Sequence, residues 1–290
     1  MTPAAYAVLD LKAFEHNLSV VRKVSPESKV MAVIKANGYG HGLLRVAKAL
    51  KGVDAFAVAR VDEAVRLREA GIDRRITVLE GFCCQEELDL LFQYNCESVI
   101  HSEIQVDLLE NCPDRQKIAV WLKLDTGMNR LGFGRDAFLV MYQRLKICRV
   151  ANNPVGLMTH LANADDKNDG KTLQQIDHFN NVVEKLQGER SIANSAGILG
   201  WPVSLTDWVR PGIALYGVSP FCDSHGSDLG VKPVMSLHSR LIAIKQLESG
   251  EKVGYGGQWT CKNPTRLGIV AIGYGDGYPR HAASGTPILV

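Results

Sequence analysis

Residues 29–50 read KVMAVIKANGYGHGLLRVAKAL, and their order decides the fold. Val30 to Ile34 form an unbroken apolar run, as in a strand covered on both faces. A glycine-rich segment and then a helical pattern follow, so the stretch reads as one strand–turn–helix unit. At the junction stands Lys35, a charged residue closing an entirely apolar strand.

Working outward, the same alternation recurs to about residue 220. Seven further short apolar runs are Ala55 to Ala59, Ile76 to Leu79, Ser98 to Ile100, Ile118 to Leu124, Val155 to Thr159, Ser191 to Ala193, and Trp208 to Val209 leading into GIALYG. Amphipathic stretches separate them; Leu173, Ile176, Phe179, Val183 and Leu186 fall on one helical face. Eight such units predict an α/β fold, a closed (β/α)₈ TIM barrel over residues 10–222. A doubly wound sheet is the alternative, but it ordinarily has fewer strands and a glycine fingerprint after the first. Polar residues end the runs: Lys35, Arg60, Glu80, His101, Asp125, His160, Asn194 with Ser195, and Arg210. On a barrel these gather at the C-terminal rim, where such folds place their chemistry.

From residue 223 the character changes. FCDSHGSDLG reads as a polar linker, and SLHSRLIAIKQL, EKVGYGGQWT, RLGIVAIGYGDGYPR and GTPILV read as short strands between turns. A smaller all-β domain over 223–290, joined by residues 1–9, is therefore expected. It ends on an apolar run without a closing turn, the pattern of an interrupted domain.

Charge excludes some partners. Lysine and arginine number 33 against 31 aspartates and glutamates, which gives no field suited to nucleic acid. The N-terminus lacks the order of a signal peptide, and no apolar run is long enough to span a bilayer, so a cytoplasmic location is expected. The 7 cysteines include no C-x-x-C pair, which fits reduced thiols and no metal site.

Lys35 carries the chemical argument. An ammonium at the end of an apolar strand loses solvation, which favours the neutral amine, a nucleophile able to condense with a carbonyl. Alone, such a lysine more often reaches water or a carboxylate. Its surroundings alter that balance, because AVIKANGYGHG resembles the cofactor-lysine signature of the alanine racemases. The similarity continues through LEGF at Leu79, KLDTGMNRLGF at Lys123, THLANAD at Thr159, NSAG at Asn194, DWVRPGIALYG at Asp207, VGYGG at Val253 and GYGDGYPRH at Gly273.

The resemblance implies a cytoplasmic homodimer that interconverts L- and D-alanine, leaning toward the form that makes D-alanine for peptidoglycan. Each subunit would carry pyridoxal 5'-phosphate, with Lys35 holding the cofactor covalently and then serving as a proton-transfer base. Tyr39, Ser195 and the amides near Gly212 and Ile213 would bind the phosphate, with Leu79 and Asn194 also lining the cofactor. Arg210 would face the pyridine nitrogen and, because a guanidinium does not surrender its proton, keep that nitrogen unprotonated. Taken as a structural residue instead, Arg210 has Asp207 as a nearby ion-pair candidate. Racemisation requires groups on opposite faces of the α-carbon; the second is implied to be Tyr255 of the partner subunit, linked through His160 to Arg210. Arg130 would orient the substrate carboxylate, Lys123 matches a position that is carbamylated in many members, and Tyr274 would gate the site. Two other readings are a non-catalytic cofactor carrier on the same kind of barrel and a decarboxylase or broader racemase of related architecture. The tyrosines in VGYGG and GYGDGYPR disfavour both.

Overall fold

The computed structural model describes residues 3–113 and 115–290. It divides into two compact units, Asp10–Val234 and a second made of Met235–Val290 with the N-terminal segment through Leu9. The first strand, β1 (Tyr6–Leu9), belongs to the second unit.

The eight strands that follow are β2 (Lys29–Val33), β3 (Ala55–Val58), β4 (Arg75–Val78), β5 (Glu97–Ile100), β6 (Val120–Lys123), β7 (Gly156–Met158), β8 (Arg190–Ser191) and β9 (Trp208–Val209). All pair in parallel and in chain order, and β9 closes on β2 through Lys29–Trp208 and Val30–Val209. This is the expected barrel.

The apolar runs are continuous because both faces of each strand are covered. In β2, Met31 and Val33 join Ala55, Ala57, Val99, Trp121, Met158 and Trp208 in one buried cluster. Val30, Ala32 and Ile34 belong to a second, larger cluster with the surrounding helices, including Phe14, Leu43 and Val46. Each fully buried aliphatic side chain of this kind contributes roughly 1.5–3 kcal/mol. The first cluster also holds polar matter: the Glu97 carboxylate accepts from Trp121 Nε1 at 3.0 Å and Thr77 Oγ1 at 2.8 Å, and pairs with Arg75.

Two helical details differ from expectation. In the helix Lys171–Val183 the buried face is Thr172, Gln175, Ile176, Phe179, Val182 and Val183. Leu173 is exposed and Leu186 lies beyond the helix end, because the polar Gln175 takes an inward place that hydrophobic spacing alone does not reveal. The stretch FCDSHGSDLG lies within the barrel unit. There Phe221 and Val231 are buried, and the helix Leu11–Val24 is tied to the following residues by Asn17 Nδ2 donating to Lys232 O at 2.9 Å.

In the second unit β1 pairs antiparallel with β10 (Met235–His238), β11 (Leu241–Leu247) with β14 (Thr265–Val270), and β12 (Lys252–Val253) with β13 (Trp259–Thr260). GTPILV forms no strand. A strand persists where a neighbour completes its hydrogen bonds, and none pairs with this segment among the described residues.

Candidate functional site

The strand ends surround a cavity of about 760 Å³ lined only by residues of the barrel unit. Lys35 follows β2, Leu79 and Glu80 follow β4, and His101 follows β5. Lys123 ends β6, and Arg130 lies on the loop beyond it. His160 follows β7, Asn194 and Ser195 follow β8, and Arg210, Gly212 and Ile213 follow β9. Two of the expected rim residues do not line it. Arg60 pairs with Asp62 at 3.2 Å, and Asp125 Oδ1 accepts from the amides of Gly127, Met128 and Asn129.

Lys35 opens an unusual turn. The next four residues all occupy the left-handed region, with φ of 53° at Ala36, 56° at Asn37, 63° at Gly38 and 51° at Tyr39. Such a conformation costs roughly 1–2 kcal/mol for each residue bearing a Cβ, so surrounding contacts must hold it. Asn37 N donates to Glu63 Oε1 at 2.9 Å, and Asn37 Oδ1 accepts from Leu43 N at 3.0 Å. Gly38 lies so close to the helix Leu43–Ala49 that a Cβ would come within 2.9 Å of Val46 Cγ2. The Tyr39 ring packs against Tyr216, 4.7 Å between centroids. The result is a rigid mount for Lys35 and Tyr39. No carboxylate pairs with the Lys35 amine among the described residues.

Arg210 is 3 % exposed. Its guanidinium donates to Thr159 O at 2.6 Å, Ile192 O at 3.2 Å, His160 Nδ1 at 3.3 Å, and Ser191 Oγ. The ion pair considered with Asp207 does not form: Asp207 Oδ2 accepts instead from Arg190 N at 2.7 Å. Burial lowers Arg210 to about 10, which still leaves it a cation at neutral pH. Because arginine only donates, His160 Nδ1 must accept, and the ring proton sits on Nε2. Burial, followed by the Arg210 charge, pushes the His160 pKa well below its ordinary value, so the ring is neutral.

Lys123 is buried among cations. Burial first, then Arg210 and Arg130, lower its pKa to about 8, against a smaller opposing effect of Asp125. At that value an appreciable fraction of the amine is neutral at physiological pH. Arg130 is exposed at the rim and makes no ion pair among the described residues.

Hydrogen-bond donors converge at the β8 and β9 ends. Ser195 Oγ accepts from Gly212 N at 2.9 Å and Ala214 N at 3.2 Å, which leaves its own O–H to donate outward. The Gly212 amide is thus already occupied; that of Ile213 has no acceptor among the described residues. An ideal Cβ on Gly212 would stand 2.6 Å from the Tyr39 hydroxyl, so glycine permits this close approach. Asn194 caps the helix Ser195–Gly200 by accepting from Gly197 N at 3.0 Å, and donates to Leu161 O. Lys35, Lys123, Arg130 and Arg210, with the hydroxyls of Tyr39 and Ser195, give this cavity a surplus of hydrogen-bond donors suited to anionic groups, against the two carboxylates of Glu80 and Asp165 in its wall.

Two residues important to this geometry were not singled out by the sequence. Glu63 holds the left-handed turn. Gln175 donates to Thr126 Oγ1 at 3.0 Å and His160 O at 3.2 Å and accepts from Ala162 N at 2.9 Å, joining the loops after β6 and β7. Tyr255 and Tyr274 lie in the second unit, on one-turn segments Tyr255–Gly257 and Tyr274–Asp276, and are 98 % and 70 % exposed. Neither lines the cavity.

The sequence matches the family description "Alanine racemase, N-terminal domain" over residues 9–220 and "Alanine racemase, C-terminal domain" over 234–290. It is 49% identical over 290 residues to the alanine racemase of Shewanella sediminis, covering 100% of this chain and 81% of that protein. To the biosynthetic alanine racemase of Escherichia coli O6:H1 it is 50% identical over 288 residues, covering 99% and 80%. The crystal structure of biosynthetic alanine racemase from Pseudomonas aeruginosa superposes with a TM-score of 0.94 at 40% identity, over 99% of this chain and 80% of that one. Alanine racemase from Bartonella henselae, solved with covalently bound pyridoxal phosphate, superposes with a TM-score of 0.83 at 28% identity, over 96% and 78%. Among the described residues, no helix is long and apolar enough to cross a membrane.

Proposed function

Because the chain belongs to the alanine racemases, we propose that it interconverts L- and D-alanine with pyridoxal 5'-phosphate held in the barrel cavity, as a cytoplasmic homodimer supplying D-alanine for peptidoglycan. The residues present fit that cofactor. Tyr39 O–H, Ser195 O–H and Ile213 N–H would hold its phosphate, and Gly212 leaves room for it. Leu79 and Asn194 line the same space, Arg210 offers a donor to the ring nitrogen, and Lys35 supplies an amine that forms no ion pair among the described residues. When bound, pyridoxal 5'-phosphate takes up the electron pair left when a proton departs the α-carbon.

Lys35 Nζ removes or returns that proton on one face, and its rigid turn keeps the amine aimed. The oxygen of Tyr255 of the partner subunit serves the other face. A phenol has an ordinary pKa near 10 and needs assistance to act as a base; His160, with its proton on Nε2, offers a donor that stabilises the phenolate. Arg130 pairs with no carboxylate among the described residues and would orient that of the substrate through its planar fork. A carbamate on Lys123 would place an anion among Arg130, Arg210 and Lys35, relieving their mutual repulsion. Tyr274, the gate residue the family resemblance implies, would favour a small side chain.

One observation carries this reading: a buried guanidinium bonded to a neutral histidine lines the same cavity as Lys35, and neither cation pairs with a carboxylate among the described residues. The test is incubation of each alanine enantiomer in deuterated water, with absorbance recorded before and after borohydride. The protein should be yellow, bleach on reduction, and place deuterium at the α-carbon of both enantiomers. Lys35→Ala should lose the colour and slow exchange by about 10²–10⁴-fold, the range for removing a proton-transfer group. A yellow, fully exchanging Lys35→Ala protein would overturn the reading.

A further inference from the structure

The turn that presents Lys35 and Tyr39 is held from outside its own βα unit. Glu63 is the third residue of the helix Val61–Glu69, a position where an acidic side chain ordinarily faces water and complements the helix dipole. Here it is turned inward and is 4 % exposed. No lysine or arginine pairs with it among the described residues. A carboxyl group removed from water needs its oxygens satisfied, and both are satisfied by backbone. Oε2 accepts from Ala59 N at 3.0 Å, next to the start of its own helix, and Oε1 accepts from Asn37 N at 2.9 Å, in the middle of the left-handed turn.

Asn37 is the point where that turn is tied on both sides. Its amide is fixed by Glu63, and its side-chain oxygen receives Leu43 N. Lys35 and Tyr39 are its second neighbours in each direction. We propose that Glu63 is a positioning residue for the reaction: by clamping Asn37 from the neighbouring helix it fixes where the Lys35 amine and the Tyr39 hydroxyl stand. The role rests on the reading that these two groups hold the cofactor. Glu63 itself does not line the cavity, so it acts only through the backbone it holds, at Asn37 in the turn and at Ala59 on the cavity wall.

The geometry dictates the variants. Glu63→Gln replaces one acceptor oxygen with an amide NH₂ that would meet an N–H donor, so one of the two bonds is lost with little change of volume. Glu63→Asp keeps the charge but is one methylene too short to reach both amides. Losing one hydrogen bond corresponds to about a tenfold change in the opening equilibrium of the segment it closes.

The experiment compares the holoenzyme with Glu63→Gln and Glu63→Asp by hydrogen exchange with mass spectrometry, by the rate of cofactor loss on dialysis, and by steady-state kinetics. Exchange should rise about tenfold over residues 36–43 where the Asn37 bond is lost and at Ala59 where that bond is lost, with 36–43 rising in at least one variant, while the rest of the barrel is unchanged. Cofactor should leave faster, and kcat should fall while KM for alanine stays within about twofold. Unchanged exchange over 36–43 in both variants would overturn the clamp. A rise throughout the barrel would make Glu63 a general stabiliser instead, and a local rise with wild-type kcat and cofactor retention would remove its role in the reaction. The exchange readout does not depend on chemistry at Lys35. A wild-type protein without cofactor would therefore sink the proposed function while the clamp is still decided.

Discussion

The rim of the barrel and the turns of the second unit prepare their functional side chains in opposite ways. At the rim, Lys35, Tyr39, His160 and Arg210 are placed by buried hydrogen bonds, a left-handed turn and aromatic packing. In the second unit, Tyr255 stands almost wholly in solvent, and Tyr274 is 70 % exposed, with the Arg280 guanidinium 5.9 Å from its ring centroid. Pre-organisation costs conformational entropy that must be offset by local contacts; at the rim these contacts reach the buried side chains themselves, whereas around Tyr274 they tie the backbone of an exposed turn. Under the proposed function, the cofactor half of the site would be finished within one chain and the second acid–base group completed by another.

Changing Tyr255 probes this division most strongly. Tyr255→Phe should slow exchange starting from L-alanine by about 10²–10⁴-fold, and exchange starting from D-alanine by less. Solvent-deuterium exchange followed separately from each enantiomer measures both, and equal losses would contradict the assigned faces. Stability should hardly change, since the hydroxyl is exposed.

Lys123 tests the buried side of the comparison. Its folded pKa is lowered from 10.5 to about 8, so between those values the unfolded chain binds a proton that the folded chain does not. Stability should therefore rise with pH across this window, and the full penalty is present below its lower end. The difference of 10.5 − 8 = 2.5 corresponds to about 3 kcal/mol. Urea unfolding in carbonate-free buffer should show wild type gaining on Lys123→Met by that order as pH rises. Parallel curves would contradict it.

Much of this arrangement was legible in the residues. Parallel strands covered on both faces are apolar throughout, so all eight were visible as runs, and the polar residue after each located the rim. What was not legible depended on backbone conformation or on side chains crossing between units. Glycines around residue 38 announced a turn, but nothing in KANGY indicates that Ala36 and Tyr39 adopt positive φ. Glu63 looked like an ordinary first-turn acid, and Gln175 interrupted no pattern, because inward and outward polar residues are alike in sequence. Asp207 lies three residues from Arg210, yet the two side chains bond elsewhere. GTPILV has the composition of a strand but no pairing partner among the described residues.

A smaller effect is expected at Gly212. Its φ of −117° and ψ of −94° lie outside the regions favoured by residues with a Cβ, and the new methyl of Gly212→Ala would stand 2.6 Å from the Tyr39 hydroxyl. Displacing that hydroxyl should weaken cofactor retention by about tenfold, the value of one hydrogen bond. Gly134→Ala, with φ of −65° and nothing within 4 Å of the new Cβ, should change stability by less than about 0.5 kcal/mol. Dialysis followed by absorbance, with thermal unfolding, checks both.

The division of labour between chains is tested most directly by mixing two inactive proteins, Lys35→Ala and Tyr255→Phe, under conditions that let subunits exchange. If each site takes Lys35 from one subunit and Tyr255 from the other, half of the dimers are mixed and each regains one intact site, restoring about a quarter of wild-type activity. A mixture no more active than its two components would contradict the account.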